Sequence, residues 1–177
     1  MSAIYVCSLD RLEKTASDSQ ASHMATLINA DTLVVRPPTV EPDNHLFLGF
    51  NDINEPLEGM LLPGEQHVRE FVRFVENWDQ AAPLIVHCWA GVSRSTAGAM
   101  IATCLLRPDL DEKLVAATIR ERSPEATPNK RLVALADYVL GRDGRMLAAV
   151  DDIGRGIDCF EGSVFHLSIS GVDDGTL

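Results

Sequence analysis

Leu84-Ile85-Val86-His87-Cys88-Trp89-Ala90-Gly91-Val92-Ser93-Arg94-Ser95 is the stretch on which the reading of this chain turns. Leu84 to His87 form a short uncharged run of the kind that parallel sheets bury on both faces. Residues 95–106 are apolar on nearly every side, which predicts a central, buried helix. Between strand and helix, Cys88 and Arg94 enclose five residues.

Each residue of that loop has a physical use. Successive backbone amides from Trp89 to Arg94 can turn inward as a concave anion nest, and the helix that follows adds the positive end of its dipole. Gly91 admits a positive φ without steric cost. Arg94 offers a planar fork that can hold two oxygens of one anion. Cys88 stands at the focus of this potential, which favours the nucleophilic thiolate. A thiolate beneath a bound phosphoryl group can attack phosphorus in line and form a covalent intermediate.

Upstream, Ile4-Tyr5-Val6-Cys7 reads as a strand, and residues 10–16 and 19–28 read as polar helices. Thr32-Leu33-Val34-Val35-Arg36 reads as a second strand ended by Pro37-Pro38, and residues 45–50 as a third, feeding a polar loop over 51–59. Pro63 and Gly64 open an amphipathic helix with Val68, Phe71, Val72, Val75 and Trp78 on its core face, and Pro83 stops it.

Downstream, Asp109 with Glu112 reads as the capping pair of a helix that runs to about Glu121. Thr127 as N-cap, Pro128 at the first position and Gly141 past the end bracket another, with Leu132, Leu135, Ala136 and Val139 inward. A short helix over 143–150 precedes an irregular remainder. Interleaved strands and helices predict a single-domain α/β sandwich, with a mostly parallel sheet of four or five strands flanked by helices. Such sheets place ligands beyond the carboxyl ends of their strands, where the Cys88 loop lies.

Composition narrows the function classes. At 177 residues the chain is the size of one ordinary domain. A net charge of −11 argues against nucleic acid or an anionic membrane as partner. Met1 to Leu12 lack the basic start and apolar run of a signal peptide, and the apolar stretch 97–106 is too short to span a bilayer. Cys7, Cys88, Cys104 and Cys159 are too far apart for a zinc or redox pair, so reduced thiols and a cytoplasmic location are expected. His23, His45, His67 and His166 show no ligand spacing, and neither metal nor cofactor is expected. Cys7 and Cys104 read as small hydrophobes, and Asp151-Asp152 and Asp173-Asp174 as solvated charge.

The loop resembles the phosphate-binding loop of cysteine-based protein tyrosine phosphatases. His87, Cys88, Ala90, Gly91, Ser93, Arg94 and Ser95 match the dual-specificity branch, and Trp89 is similar to what small bacterial members carry. A weaker likeness extends to Ala126-Thr127-Pro128-Asn129.

The resemblance implies a phosphatase domain over residues 1–150, with 151–177 an irregular tail packed on it or extending from it. It implies a phosphomonoester hydrolase working through a cysteinyl-phosphate on phosphotyrosine, with dual specificity as the wider reading. The partners implied are a phosphorylated protein or a small aryl phosphate. Cys88 would be the nucleophile; Trp89, Ala90, Gly91, Val92, Ser93 and Arg94 would cradle the phosphate. Ser95 would stabilise the departing thiolate, and His87 would order the loop behind Cys88.

The general acid that the family needs is an aspartate about three dozen residues before the cysteine. Asp52, 36 positions before Cys88, is the choice, with Glu55 and Asp43 in reserve, since no Trp-Pro-Asp triplet is present. Asn129 would orient the hydrolytic water or start a helix. Two other readings stand beside this one: a phosphopeptide-binding module without turnover, and a thiol enzyme such as an arsenate reductase or sulfurtransferase, for which Cys104 is the nearest second thiol.

Overall fold

The computed structural model describes residues 2–169 and contains a five-stranded sheet in the order β3-β2-β4-β1-β5. The strands are β1 (Ala3–Ser8), β2 (His23–Ile28), β3 (His45–Gly49), β4 (Leu84–Cys88) and β5 (Phe165–Ser168). All neighbours run parallel except β5, which pairs antiparallel with β1. The helices are α1 (Leu12–Ser19), α2 (Glu65–Asn77), α3 (Arg94–Leu106), α4 (Glu112–Arg122), α5 (Lys130–Leu140) and α6 (Arg145–Ile153). The α/β architecture expected from the interleaved pattern is the one observed.

Strand alternation divides the interior in two. Ile4, Val6, Ala25, Leu27, Leu84 and Val86 face the main core, which α2 to α6 complete. Cys7, Met24 and Ile85 face the other way, against Leu12 and Ala16 of α1. On the main side, α3 is buried from Arg94 through Cys104. Gly98 lets it lie against the sheet: a Cβ there would come within 2.8 Å of Val86 Cγ1 and 2.9 Å of Leu27 Cδ1.

Two upstream elements differ from expectation. Residues 23–28, read within a polar helix, form the strand β2 between β3 and β4. Met24 to Ile28 are all buried and have no polar face, which suits a central strand and not a surface helix. Residues 32–36, read as a strand, carry no regular structure. Leu33 is 86% exposed and Val35 78% exposed, so their β preference has no neighbouring surface to pack on.

Downstream differences lie at caps and in the tail. Asp111, not Asp109, caps α4 by accepting from Lys113 N at 2.7 Å, while Asp109 pairs with Arg107. Asn129, not Thr127, caps α5: its Oδ1 accepts from Leu132 N at 3.0 Å. Gly141 does end that helix, at φ +64°. Leu132 and Ala136 face the core as expected, joined by Val133, while Leu135 and Val139 are only partly buried. The remainder read as irregular supplies β5, because Phe165 and Leu167 alternate into the core. Asp173 and Asp174 lie outside the described residues.

Candidate active site

The parallel strands end on one edge of the sheet, and the loop from Cys88 to Arg94 opens there. Its outer face is bonded almost residue by residue. Trp89 O accepts from Leu9 N, Ala90 O from Gly162 N, Val92 O from Thr127 N and Ser93 O from Asn129 N, at 2.9–3.2 Å. Thr96 Oγ1 reinforces the last two carbonyls. With the carbonyls engaged outward, the amides are left to the concave side. The amides of residues 90–93 donate to no backbone carbonyl among the described residues.

Gly91 is required at the turn. Its φ is +75°, and a Cβ would stand 2.8 Å from Ser8 N and 2.9 Å from Cys7 C, both backbone atoms. Gly162 lies close on the other side, so residues 154–164 form a strap that passes behind the loop. Glu161 fastens the strap by accepting from Ser8 Oγ and Arg11 Nε, and Thr127 Oγ1 accepts from Gly156 N.

Cys88 sits on the cleft floor, 2% exposed, with its Sγ 3.1 Å from Ser95 Oγ. Arg94 is buried beside it. Its Nη1 donates to Asn29 Oδ1 at 2.7 Å and to Phe50 O at 2.8 Å, both neutral acceptors. Its Nε is buried without a protein partner. A buried, unpaired guanidinium donor is costly unless a ligand completes it.

Asp52 lies across the opening. Its Oδ1 accepts from both Ser93 Oγ and Asn129 Nδ2 at 2.8 Å. Those two bonds leave Oδ2 for other partners. Asn129 therefore caps α5 through its oxygen and holds Asp52 through its nitrogen. Of the reserve acids, Glu55 faces a separate groove along α5 and Asp43 lies in the turn before β3. Neither lines the cleft, which has a volume of about 610 Å³ and includes Asn29, Asp52, Cys88, Trp89, Arg94 and Cys159 in its wall.

His87 is wholly buried beneath Cys88, and burial pushes its imidazole down to about 4, so it is neutral. Burial pushes the Cys7 and Cys104 thiols up to about 12, as befits small hydrophobic fillers. Cys104 faces the core and not the cleft, whereas Cys159 is exposed in the cleft wall. Among the described residues, no group of three or more His, Cys, Asp or Glu side chains is arranged to hold a metal ion. No helix among them is long and apolar enough to cross a membrane.

Asn29, the strap and Cys159 were not singled out from sequence. Asn29 immediately follows β2, so a strand reading of 23–28 would have placed it at the ligand-binding edge. The strap is irregular and carries no periodic signal.

Comparison with known proteins agrees with this geometry. A family model described as "Polymorphic toxin system, DSP-PTPase phosphatase" matches residues 20–109, which is 90 of the 177 residues. No match was found among the curated proteins. Among solved structures, DUSP15 is similar with a TM-score of 0.62 at 16% identity, over 86% of this chain and 92% of that one. The Cydia pomonella PTP-2 phosphatase aligns with a TM-score of 0.59 at 16% identity, over 76% and 84% of the two chains. Human DUSP28 aligns with a TM-score of 0.58 at 16% identity, over 78% and 94%. At these identities the structures attest the fold.

Proposed function

Because this chain belongs to the DSP-PTPase phosphatase family of polymorphic toxin systems, we propose that it hydrolyses phosphomonoesters through a cysteinyl-phosphate, as a protein tyrosine phosphatase of the dual-specificity type. The observation that carries this reading is the Cys88–Arg94 loop, with its carbonyls bonded outward and the buried Arg94 Nε left without a protein partner. A phosphoryl group supplies the oxygens that such a cradle lacks.

In the first step the Cys88 thiolate attacks phosphorus, the bond to the ester oxygen breaks, and Asp52 protonates the leaving oxygen. In the second, Asp52 takes a proton from water, the water oxygen bonds to phosphorus, and the thiolate departs. Ser95 Oγ, 3.1 Å from the sulfur, donates to the departing thiolate. Arg94 follows the equatorial oxygens through both steps, held by Asn29 and the Phe50 carbonyl. The apolar Trp89, Ala90 and Val92 at the loop's variable places, with a net charge of −11, favour a protein or aryl phosphate over a phosphoinositide.

The test is turnover of an aryl phosphate, phosphotyrosine and phosphoserine peptides, and a phosphoinositide by the full chain. Hydrolysis that vanadate inhibits, chelators leave unchanged and Cys88→Ser abolishes is expected. Full activity in Cys88→Ser would sink the reading, and tight phosphopeptide binding without phosphate release would replace it with a binding module. One observation favours a second reading, thiol redox chemistry: Cys159 shares the cleft with Cys88. Arsenate reduction supported by a thiol reductant and lost in Cys159→Ser would favour that class instead.

A further inference from the structure

On the face of the sheet away from α3, three side chains join across three adjacent strands. Thr26, fully buried in the middle of β2, places its Oγ1 2.8 Å from His45 Nε2 on β3 and 2.7 Å from His87 Nε2 on β4. A hydroxyl has one proton to give. Thr26 can donate to only one of these nitrogens, and the other must donate to Thr26. The tautomers of the two histidines are therefore coupled through a single proton.

Two arrangements satisfy both contacts. In the first, His45 Nε2–H donates to Thr26, Thr26 donates to His87 Nε2, and the His87 proton rests on Nδ1. In the second every donor reverses and Nδ1 is bare. The surroundings favour the first. His87 Nδ1 is buried with no hydrogen-bond partner in range, and the Cys88 backbone beside it raises the proton affinity of the ring. A bare, buried Nδ1 facing that backbone has nothing to accept from. A protonated His45 enforces the same arrangement, because its Nε2 can then only donate.

We propose that Thr26 and His45 are positioning residues for Cys88: they fix the His87 proton on Nδ1, so that the chain of donors ends beside the Cys88 backbone. The inference rests on Cys88 being the nucleophile of the proposed reaction. A proton held beside the Cys88 backbone favours negative charge at that residue. Other groups acting on the pair are Arg36 on His45 and Arg94 on His87, with Cys7 opposite His87 in register. None of these bonds Thr26, so the coupling belongs to the hydroxyl.

The experiment uses the full chain and two readouts that do not need turnover. The first is the ¹⁵N spectrum of the His87 ring, which reports the tautomer. The second is the pH at which alkylation of Cys88 by iodoacetamide is half-maximal. Thr26→Val, close in shape but without the proton, is expected to mix the His87 tautomers. It should raise the half-maximal pH by about half to one unit, a three- to tenfold loss of reactivity at fixed pH.

Thr26→Ser keeps the hydroxyl and should behave as the parent chain does. His45→Phe should give a smaller shift, and His45→Gln, which restores an N–H donor, should reverse it. An unchanged tautomer and alkylation profile in a folded Thr26→Val chain would overturn the proposal. If that variant fails to fold, the His45→Phe and His45→Gln pair decides the same question. Failure of the phosphatase reading would show separately, as no turnover by the parent chain.

Discussion

Single atoms decide how firmly the cleft would hold the proposed phosphoryl group. Arg94 Nη1 is shared between Asn29 Oδ1 and Phe50 O, so its guanidinium is aimed by neutral groups and keeps its full charge for a ligand. Removing the side-chain acceptor in Asn29→Ala leaves only the backbone contact. We expect vanadate to inhibit that variant about tenfold less well, with a smaller fall in kcat, because orientation of the fork is lost while Cys88, the proposed nucleophile, is untouched. Equal inhibition in variant and parent would refute this assignment. At this scale the sequence was enough to bring Cys88, Arg94 and Ser95 together, because they share one loop. It was silent about Asn29, whose meaning depends on β2 ending beside a loop 65 residues away. It was ambiguous about Asn129, which proves to be the helix cap and the Asp52 partner together.

Among elements, the contact between α3 and the sheet aims the loop. Arg94 is both the first residue of that helix and a wall of the cleft, so any lift of α3 moves the guanidinium. Gly98→Ala is expected to force that lift, since the new methyl would meet Val86 and Leu27 at under 3 Å. Overpacking of this kind costs roughly 1–3 kcal/mol, readable as a lower urea midpoint, and activity should fall further than stability alone explains. An unchanged midpoint would mean that the two side chains re-pack freely. Long apolar patterns made α2, α3 and β4 legible beforehand. The misreadings of β2 and of 32–36 share a cause: composition suggests a conformation, but a strand exists only where a partner strand lies alongside. The neighbours of β2 come from β3 and β4, well downstream.

For the molecule as a whole, the buried histidine ties stability to acidity. Unfolded, His87 takes up a proton near its ordinary value of about 6.5. Folded, burial holds it neutral down to about 4. Between those values the unfolded chain binds more protons, so stability is complete above the upper value and falls as pH drops through the window, by roughly 3 kcal/mol across it. His23, His45 and His166 are shifted the same way by burial and add to the slope. Urea unfolding at pH 7 and pH 5 should show the loss, and His87→Asn should flatten it in part. A variant slope equal to that of the parent would refute the attribution.

The strap and β5 carry a consequence for how the protein comes into being. β1 is made before both of its partners, β4 and β5, so its two edges are closed only once residue 168 has been made. The loop is fastened from both sides in sequence as well, by Leu9 before it and Gly162 after it. During synthesis the nascent strand is an open edge awaiting partners far along the message, a state that invites mispairing. The proposed cradle thus gains its rear fastening only after residue 162 has been made, and a chain halted before that point would leave the loop without it.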